Sequence, residues 1–445
     1  MKKALLLLSF LGSSYLATAQ WVSQPISFAS PAYLNFTISA VDANVAWTTV
    51  VEVNNDRTAT YARTVNGGAA WSAQVLPGLT ATEYISDIHA LNASTAWAAI
   101  APSAPVAPGR ILKTTDSGAT WVQTTTTGQF ASVEGYPVYV RFFDANRGVA
   151  IGEAANNRIE IYTTSNGGTS WTAVPAANIP AAQPDEFVDL LVPVVAQVGN
   201  SLWFATSENR VFRSTDAGLT WNVATTGFGS FDFPEALTFR DANNGLLMSD
   251  EGDLQRTTDG GITWAAVNPT GPHHIIGLAA VPGTRTYVST GFSGLPGGSG
   301  SSYSTNDGQT WTAIESTVNH ALVAFASPTA GWSGGVRLDS SGEIAGGTGL
   351  HKYTGTTLAA GTAKLAVVAP AYPNPSHDGQ FRVPLRAGAT DVLVRDAVGR
   401  VVLTQAVKPG QSDDLTLDLS GQGAGVYTLE LRSSAGVAQQ KLVVH

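Results

Sequence analysis

The chain has 445 residues, more than one ordinary compact core holds and enough for a large repeat fold with a small added domain. Hydrophobic residues make up 44% and charged residues 13%, with 46 glycines, a balance that suits many short strands joined by tight turns and disfavours long solvated helices. The net charge of −9 argues against a nucleic-acid partner, and the lack of cysteine excludes disulfides, thiolate metal sites and cysteine nucleophiles.

Taken in order, the chain opens as an address. Lys2 and Lys3 precede a short apolar run over residues 4–10, and Ala17-Thr18-Ala19 is a small-x-small cleavage signal. A signal peptide is therefore expected over residues 1–19, with the mature chain starting at Gln20 or Trp21. The apolar run is too short to span a bilayer, and no later segment is long and apolar enough to be a transmembrane helix. Without the two leader lysines the charge is −11, and the last 76 residues balance seven bases against seven acids. Residues 20–369 thus carry the whole −11, which leaves cations, neutral glycans or basic proteins as partners.

Next comes a repeat. Six segments read Thr/Ser, any, Asp/Asn, any, Gly, any, small, Trp. Their key pairs are Asn66 and Trp71, Asp116 and Trp121, Asn166 and Trp171, Asp216 and Trp221, Asp259 and Trp264, and Asn306 and Trp311, with tryptophan spacings of 50, 50, 50, 43 and 47. The pattern is that of a hairpin: the Asp or Asn side chain folds back onto backbone amides, Gly takes a positive φ, and Trp buries a large ring at the next strand. A second, interleaved repeat of turn then strand occurs seven times, its apolar residues being Trp47, Trp97, Val149, Trp203, Leu246, Tyr287 and Trp332.

Trp21 accounts for the missing seventh hairpin. It lies 50 residues before Trp71 and begins Trp21-Val22-Ser23-Gln24, much like Trp121-Val122-Gln123-Thr124. The N terminus is therefore predicted to supply the outer strand of the last blade of a ring, so that no sheet edge stays open. All eleven tryptophans fall in the two repeats, and none is left for ligand stacking. The fold expected is all-β: a seven-bladed β-propeller of four-stranded blades over residues 20–354. The six hairpins resemble the Asp boxes of bacterial neuraminidases and sortilin-type propellers. The whole arrangement most resembles the propeller of photosystem II assembly and stability factors, a resemblance that implies the fold and not the role.

A small-residue linker over residues 355–369 precedes a second module at 370–445. Its alternating Val/Leu strands with glycine turns predict a small β-sandwich. Tyr372-Pro373-Asn374-Pro375, Asp396-Ala397-Val398-Gly399-Arg400, Gly425-Val426-Tyr427 and a basic-apolar C terminus resemble the type A sorting domain of type IX secretion. That resemblance implies export across the outer membrane of Bacteroidota-type bacteria, with the secretion machinery as partner and a secreted or cell-surface location.

Little in the sequence points to chemistry. Asp boxes suggest sialidase, but the first arginine after the leader is Arg57 and no Arg-Ile-Pro occurs. Arg63, Lys113, Arg213 and Arg256 each precede an Asp box and read as blade-surface positions. Topology supplies the remaining candidates, in the loops that enter the inner strands: Glu83, Tyr84 and Asp87; Glu134 and Tyr136; Asp185, Glu186 and Asp189; Asp232 and Glu235; His273, His274 and His320. Three readings compete there: a solvated rim, a divalent-cation or basic-partner site, and a carboxylate pair for glycoside hydrolysis using Asp185 or Asp189 opposite Glu235 or Glu83. Loop aromatics Tyr84, Phe130, Tyr136, Phe187, Phe228 and Phe231 are candidates for stacking on sugars or for ordinary packing. No resident cofactor or metal is expected, and the chain is expected to be a monomer. The reading is a secreted binding or adhesion protein with a glycan or protein ligand at its acidic face, the alternative being a polysaccharide-active glycoside hydrolase.

Overall fold

The computed structural model describes residues 20–54, 56–103, 108–131, 135–188, 192–229, 232–355, 358, 371–385, 389–396, 401–407, 414–433 and 436–445. The leader, most of the linker, Glu134, Asp189 and Phe231 lie outside the described residues. The described residues up to Leu358 form one compact unit and those from Ala371 another.

The first unit is a seven-bladed β-propeller. Six blades are sequential antiparallel sheets of four strands, at residues 33–75, 83–123, 137–173, 195–225, 234–267 and 277–315. The seventh is composite. His320–Ser327, Ala330–Leu338 and Ile344–Tyr353 supply its inner strands, and Trp21–Gln24 pairs antiparallel with the last of them, Trp21 opposite Tyr353 and Gln24 opposite Leu350. The N-terminal strand thus closes the ring where the tryptophan spacing places it.

Six turns between third and fourth strands share one hydrogen-bond pattern. At Asp116, Thr114 Oγ1 donates to the carboxylate at 2.9 Å, the Thr120 amide donates to it at 2.9 Å, and Gly118 takes a φ of +87° that a side chain resists. Burial alone would raise the Asp259 carboxyl, yet hydrogen bonds from Thr263, Thr257 and the Ile262 amide hold it down at about 2. The six Asp and Asn residues are therefore turn-formers.

Between blades, the second-strand tryptophans act as fasteners. Trp97 and Trp203 are fully buried and donate their indole N–H to turn carbonyls of the following blade, Gly167 at 3.2 Å and Gly260 at 2.7 Å. Lys113 lies over the Trp97 ring and donates to the same Gly167 carbonyl at 2.8 Å. Arg63 lies over Trp47 and reaches Ala93 O of the next blade at 3.2 Å. Arg63 and Lys113, expected on the blade surface, are instead half-buried clasps between blades, because a long stem packs on the indole while its charged head caps a carbonyl.

The closing seam carries a buried polar chain. Trp21 Nε1 donates to Ser301 Oγ at 2.8 Å, and Ser301 Oγ donates to Glu315 Oε1 at 3.2 Å. His320 Nε2 lies 3.0 Å from the same oxygen, and its Nδ1 lies 2.6 Å from Ser333 Oγ and 3.3 Å from His351 Nδ1. Gln24 accepts from the indoles of both Trp71 and Trp332 at 3.2 Å and donates to Gly67 O at 2.8 Å, bolting the last blade to the first.

The second unit is a small β-sandwich. A four-stranded sheet in the order Val401–Ala406, Ala389–Arg395, Gly425–Ser433, Gly436–Val444 faces the pair Gln380–Val383 and Leu415–Asp418. Phe381, Val383, Val394, Leu417, Leu429 and Leu442 fill the space between the two sheets. Asn374 ties the start of the unit to its end, donating to Lys441 O at 2.7 Å and accepting from the Val443 amide at 3.0 Å.

Two outcomes follow. Trp21→Ala removes an indole that is 5% exposed and breaks the polar chain, so it is expected to cost about 3–5 kcal/mol in urea unfolding. Acid is also expected to destabilise the propeller. Burial, reinforced by the neighbouring charge of His320, lowers His351 to about 4, and burial chiefly lowers His273 to about 4. A depressed histidine contributes stability that is present above the unfolded value of about 6.5 and is lost as pH falls toward 4, at up to ~1.4 kcal/mol per pH unit and group. Urea midpoints should therefore fall from pH 7 to pH 5, and His351→Gln should flatten that slope.

Candidate functional site

The inner strands of all seven blades surround a central channel of about 760 Å³. Its wall is largely apolar, with Ile38, Val195, Leu237, Leu278 and Val323 among its residues. Asp87, His89, Arg141, Glu235 and Arg240 are its ionisable groups.

Most polar side chains on these inner strands belong to the seams. Ser39 Oγ accepts from the Ala90 amide at 3.0 Å, Asp87 Oδ2 from Val140 at 2.9 Å, Tyr139 OH from Val194 at 3.1 Å and Thr238 Oγ1 from Ala280 at 2.8 Å. In each case a side chain of one blade holds a backbone amide of the next. Asp87 also pairs with Arg141 of the neighbouring blade, and burial pushes its carboxyl up against the pull of that guanidinium. Asp87 is 1% exposed, and its role is a seam contact.

The loop residues divide in the same way. Glu83 pairs with Arg110 at 2.9 Å and accepts from the Thr80 amide at 2.8 Å. Glu186, buried, pairs with Arg210 at 2.6 Å and accepts from the Gln183 amide at 2.7 Å. Glu153 accepts from the Val188 amide at 2.7 Å, and Asp232 from Gly229 at 2.9 Å. His320 belongs to the closing chain. His274 is buried against Gly298 O at 3.1 Å, and the His273 ring packs 5.0 Å from that of Trp311. Tyr84 lies beneath Arg57, Phe130 is fully buried beside Tyr162, and Phe228 is half-buried in a core cluster. Asp185 stays exposed, at a φ of +62°.

Glu235 differs from the paired carboxylates. The pairing of first and second strands shifts register at one place in blades 1, 2, 3 and 5, skipping Phe36, Ser86, Val138 and Glu235. Phe36 and Val138 are buried there, and Ser86 donates to Pro137 O of the next blade at 2.8 Å. Glu235 puts a carboxylate in that position, on the channel wall, with no hydrogen-bond or ion-pair partner among the described residues. Burial, reinforced by the like charge of Asp250 on the same hairpin, raises it to about 7.

Aromatic side chains recur just outside this position. The backbone carbonyls of Tyr136, Phe187 and Phe233 accept from Glu153, Ser207 and Asp250 at 2.8, 3.0 and 2.9 Å, so the three occupy equivalent rim positions on blades 3, 4 and 5. Tyr136 is half-buried, whereas Phe187 and Phe233 are 41% and 44% exposed. The sequence reading passed over Phe233 and Arg141. In blades 3 and 5 the skipped residue follows the rim aromatic by two positions, Val138 after Tyr136 and Glu235 after Phe233, and that spacing is the signal that finds Phe233.

Comparisons with known proteins agree with this architecture. Residues 370–445 match the family described as secretion system C-terminal sorting domain. That match marks the chain for export by type IX secretion, to the cell surface or the medium. Among solved structures, YCF48 from Cyanidioschyzon merolae is 18% identical with a TM-score of 0.52, covering 75% of this chain and 99% of its own. A second structure, YCF48 bound to D1 peptide, is 17% identical with a TM-score of 0.52, covering 76% and 96%. These likenesses carry the propeller fold. No curated protein matches.

The electrostatics of Glu235 can be measured directly. In a carbon-13 carboxyl titration it is expected to lose its proton near pH 7, and Asp250→Asn is expected to move that midpoint down. A midpoint in the ordinary carboxylate range would contradict the burial described here.

Proposed function

We propose that this chain is a binding or adhesion protein of the cell surface or its surroundings, and that its propeller takes a glycan or protein ligand at the loop-bearing mouth of the channel. The same proposal includes a leader over residues 1–19 and a linker over 355–369 between propeller and sorting domain. One observation carries it: the mouth holds a carboxylate, Glu235, with no partner among the described residues, while Glu83, Asp87 and Glu186 each have an arginine. A group left unsatisfied at the opening of a cavity is a group available to a ligand.

The raised Glu235 beside Asp250 also favours a second reading, general acid catalysis on a polysaccharide. Glycoside hydrolysis sets its two carboxyls on either side of the scissile bond. Glu235 and Asp250 come from one hairpin, adjacent to the paired residues Pro234 and Ser249, so they stand side by side. Glu83 is committed to Arg110, Asp185 is exposed, and Asp189 lies outside the described residues. Binding is therefore the better supported function.

The full chain, passed over a panel of immobilised glycans and proteins, is expected to be retained without releasing reducing ends. Release that disappears in both Glu235→Gln and Asp250→Asn would replace the binding reading with the hydrolase.

A further inference from the structure

We infer that the blade 4–blade 5 sector of the channel mouth is a docking surface for a cationic polypeptide segment, with a lysine or arginine side chain seated on Glu235 and apolar neighbours laid over Phe187 and Phe233. This deepens the reading above and rests on it.

The chemistry of the sector selects that occupant. Glu235 occupies a position that the fold fills elsewhere with Phe36, Val138 or a satisfied Ser86, so a carboxylate there costs stability that no hydrogen bond or ion pair among the described residues offsets. An incoming cation offsets it, by the same pairing that Arg110, Arg141 and Arg210 give to Glu83, Asp87 and Glu186. The surroundings agree in sign, because residues 20–369 carry −11 and Asp250 stands beside Glu235. An acidic glycan is repelled by this field. A neutral sugar would bury the carboxylate without neutralising it. A bare metal ion makes no use of two exposed phenyl faces, whereas an alkylammonium or guanidinium with its apolar stem does. Phe187 and Phe233 hold equivalent rim positions on adjacent blades.

Protonation of Glu235 removes the seat, so docking weakens with acid. The inner strands packed on either side of Pro234–Phe239, Val195–Val198 and Gly277–Ala280, contain no titratable side chain, and Asp250 is the charged neighbour on its own hairpin.

The test is a random octapeptide display library selected on the full chain at pH 8. Individual synthetic peptides are then titrated calorimetrically against wild type, Glu235→Gln and the double variant Phe187→Ala/Phe233→Ala. The expected result is enrichment of peptides with Lys or Arg beside an apolar residue, at least tenfold weaker binding to Glu235→Gln, and a comparable loss at pH 5.5. Glu235→Gln removes a charge that no described residue pairs, so its urea midpoint should equal or exceed that of wild type, which separates lost docking from lost folding. Selected peptides without a basic residue, or equal binding to Glu235→Gln, would overturn the inference. If those peptides still required Phe187 and Phe233, the channel mouth would stand as the binding site and only its cation preference would fall. Selection of nothing above background, with neutral glycans or calcium chloride binding at Glu235 instead, would overturn the polypeptide and leave the mouth as the site.

Discussion

The pairing of Trp21–Gln24 with Ile344–Tyr353 closes the circle on which every other contact in the propeller depends. Each blade is covered on both sides only because the seventh meets the first. An open arc would leave one edge strand unpaired and two seam faces wet. The chain has no disulfide with which to fix that junction, so it concentrates polar and aromatic contacts there: Gln24 between two indoles, Trp21 on Ser301, and the chain from Glu315 through His320 to Ser333 and His351.

The seams explain why most of the charged rim is not a site. Antiparallel blades splay apart from a common axis, so neighbouring inner strands do not hydrogen-bond as a continuous sheet. Side chains bridge the gap. Ser39, Asp87, Tyr139 and Thr238 each hold an amide of the next blade, while the tryptophans and their overlying cations do so nearer the turns. Arginines neutralise Glu83, Asp87 and Glu186, and backbone amides hold Glu153. Against that rule of local satisfaction, Glu235 is conspicuous.

Much of the fold could be read from the sequence, because the features that define it are local and repeated. The Asn66-to-Trp71 type of hairpin, the second-strand tryptophans and the 50-residue offset of Trp21 lead to seven blades and their closure. The tail was legible from Tyr372-Pro373-Asn374-Pro375 and its alternating strands. The fate of the rim carboxylates was not. The partner of Asp87 is Arg141, on the neighbouring blade, and that of Glu186 is Arg210, at the start of the third strand of the blade it leads into, so position in the repeat marks such residues as rim without marking them as paired. Arg63 and Lys113 were misread for the same reason: their periodicity shows, but the neighbouring blade they clasp does not. Glu235 stands out only once its rivals are accounted for.

The closing strand also sets the order in which this molecule comes into being. Gln24 and Trp332 are 308 residues apart, so the first part of the propeller to be synthesised finds its place only beside the last. The six sequential blades form from contacts near in the chain, whereas the junction waits for nearly the full length. The entropy of bringing such distant ends together grows only slowly with separation, but the rate of folding falls as contacts become less local. Until that junction forms, the growing chain is a curved stack of sheets with a free edge at its end and a half-strand at its beginning. Closure of the ring is therefore a late event in the life of the chain.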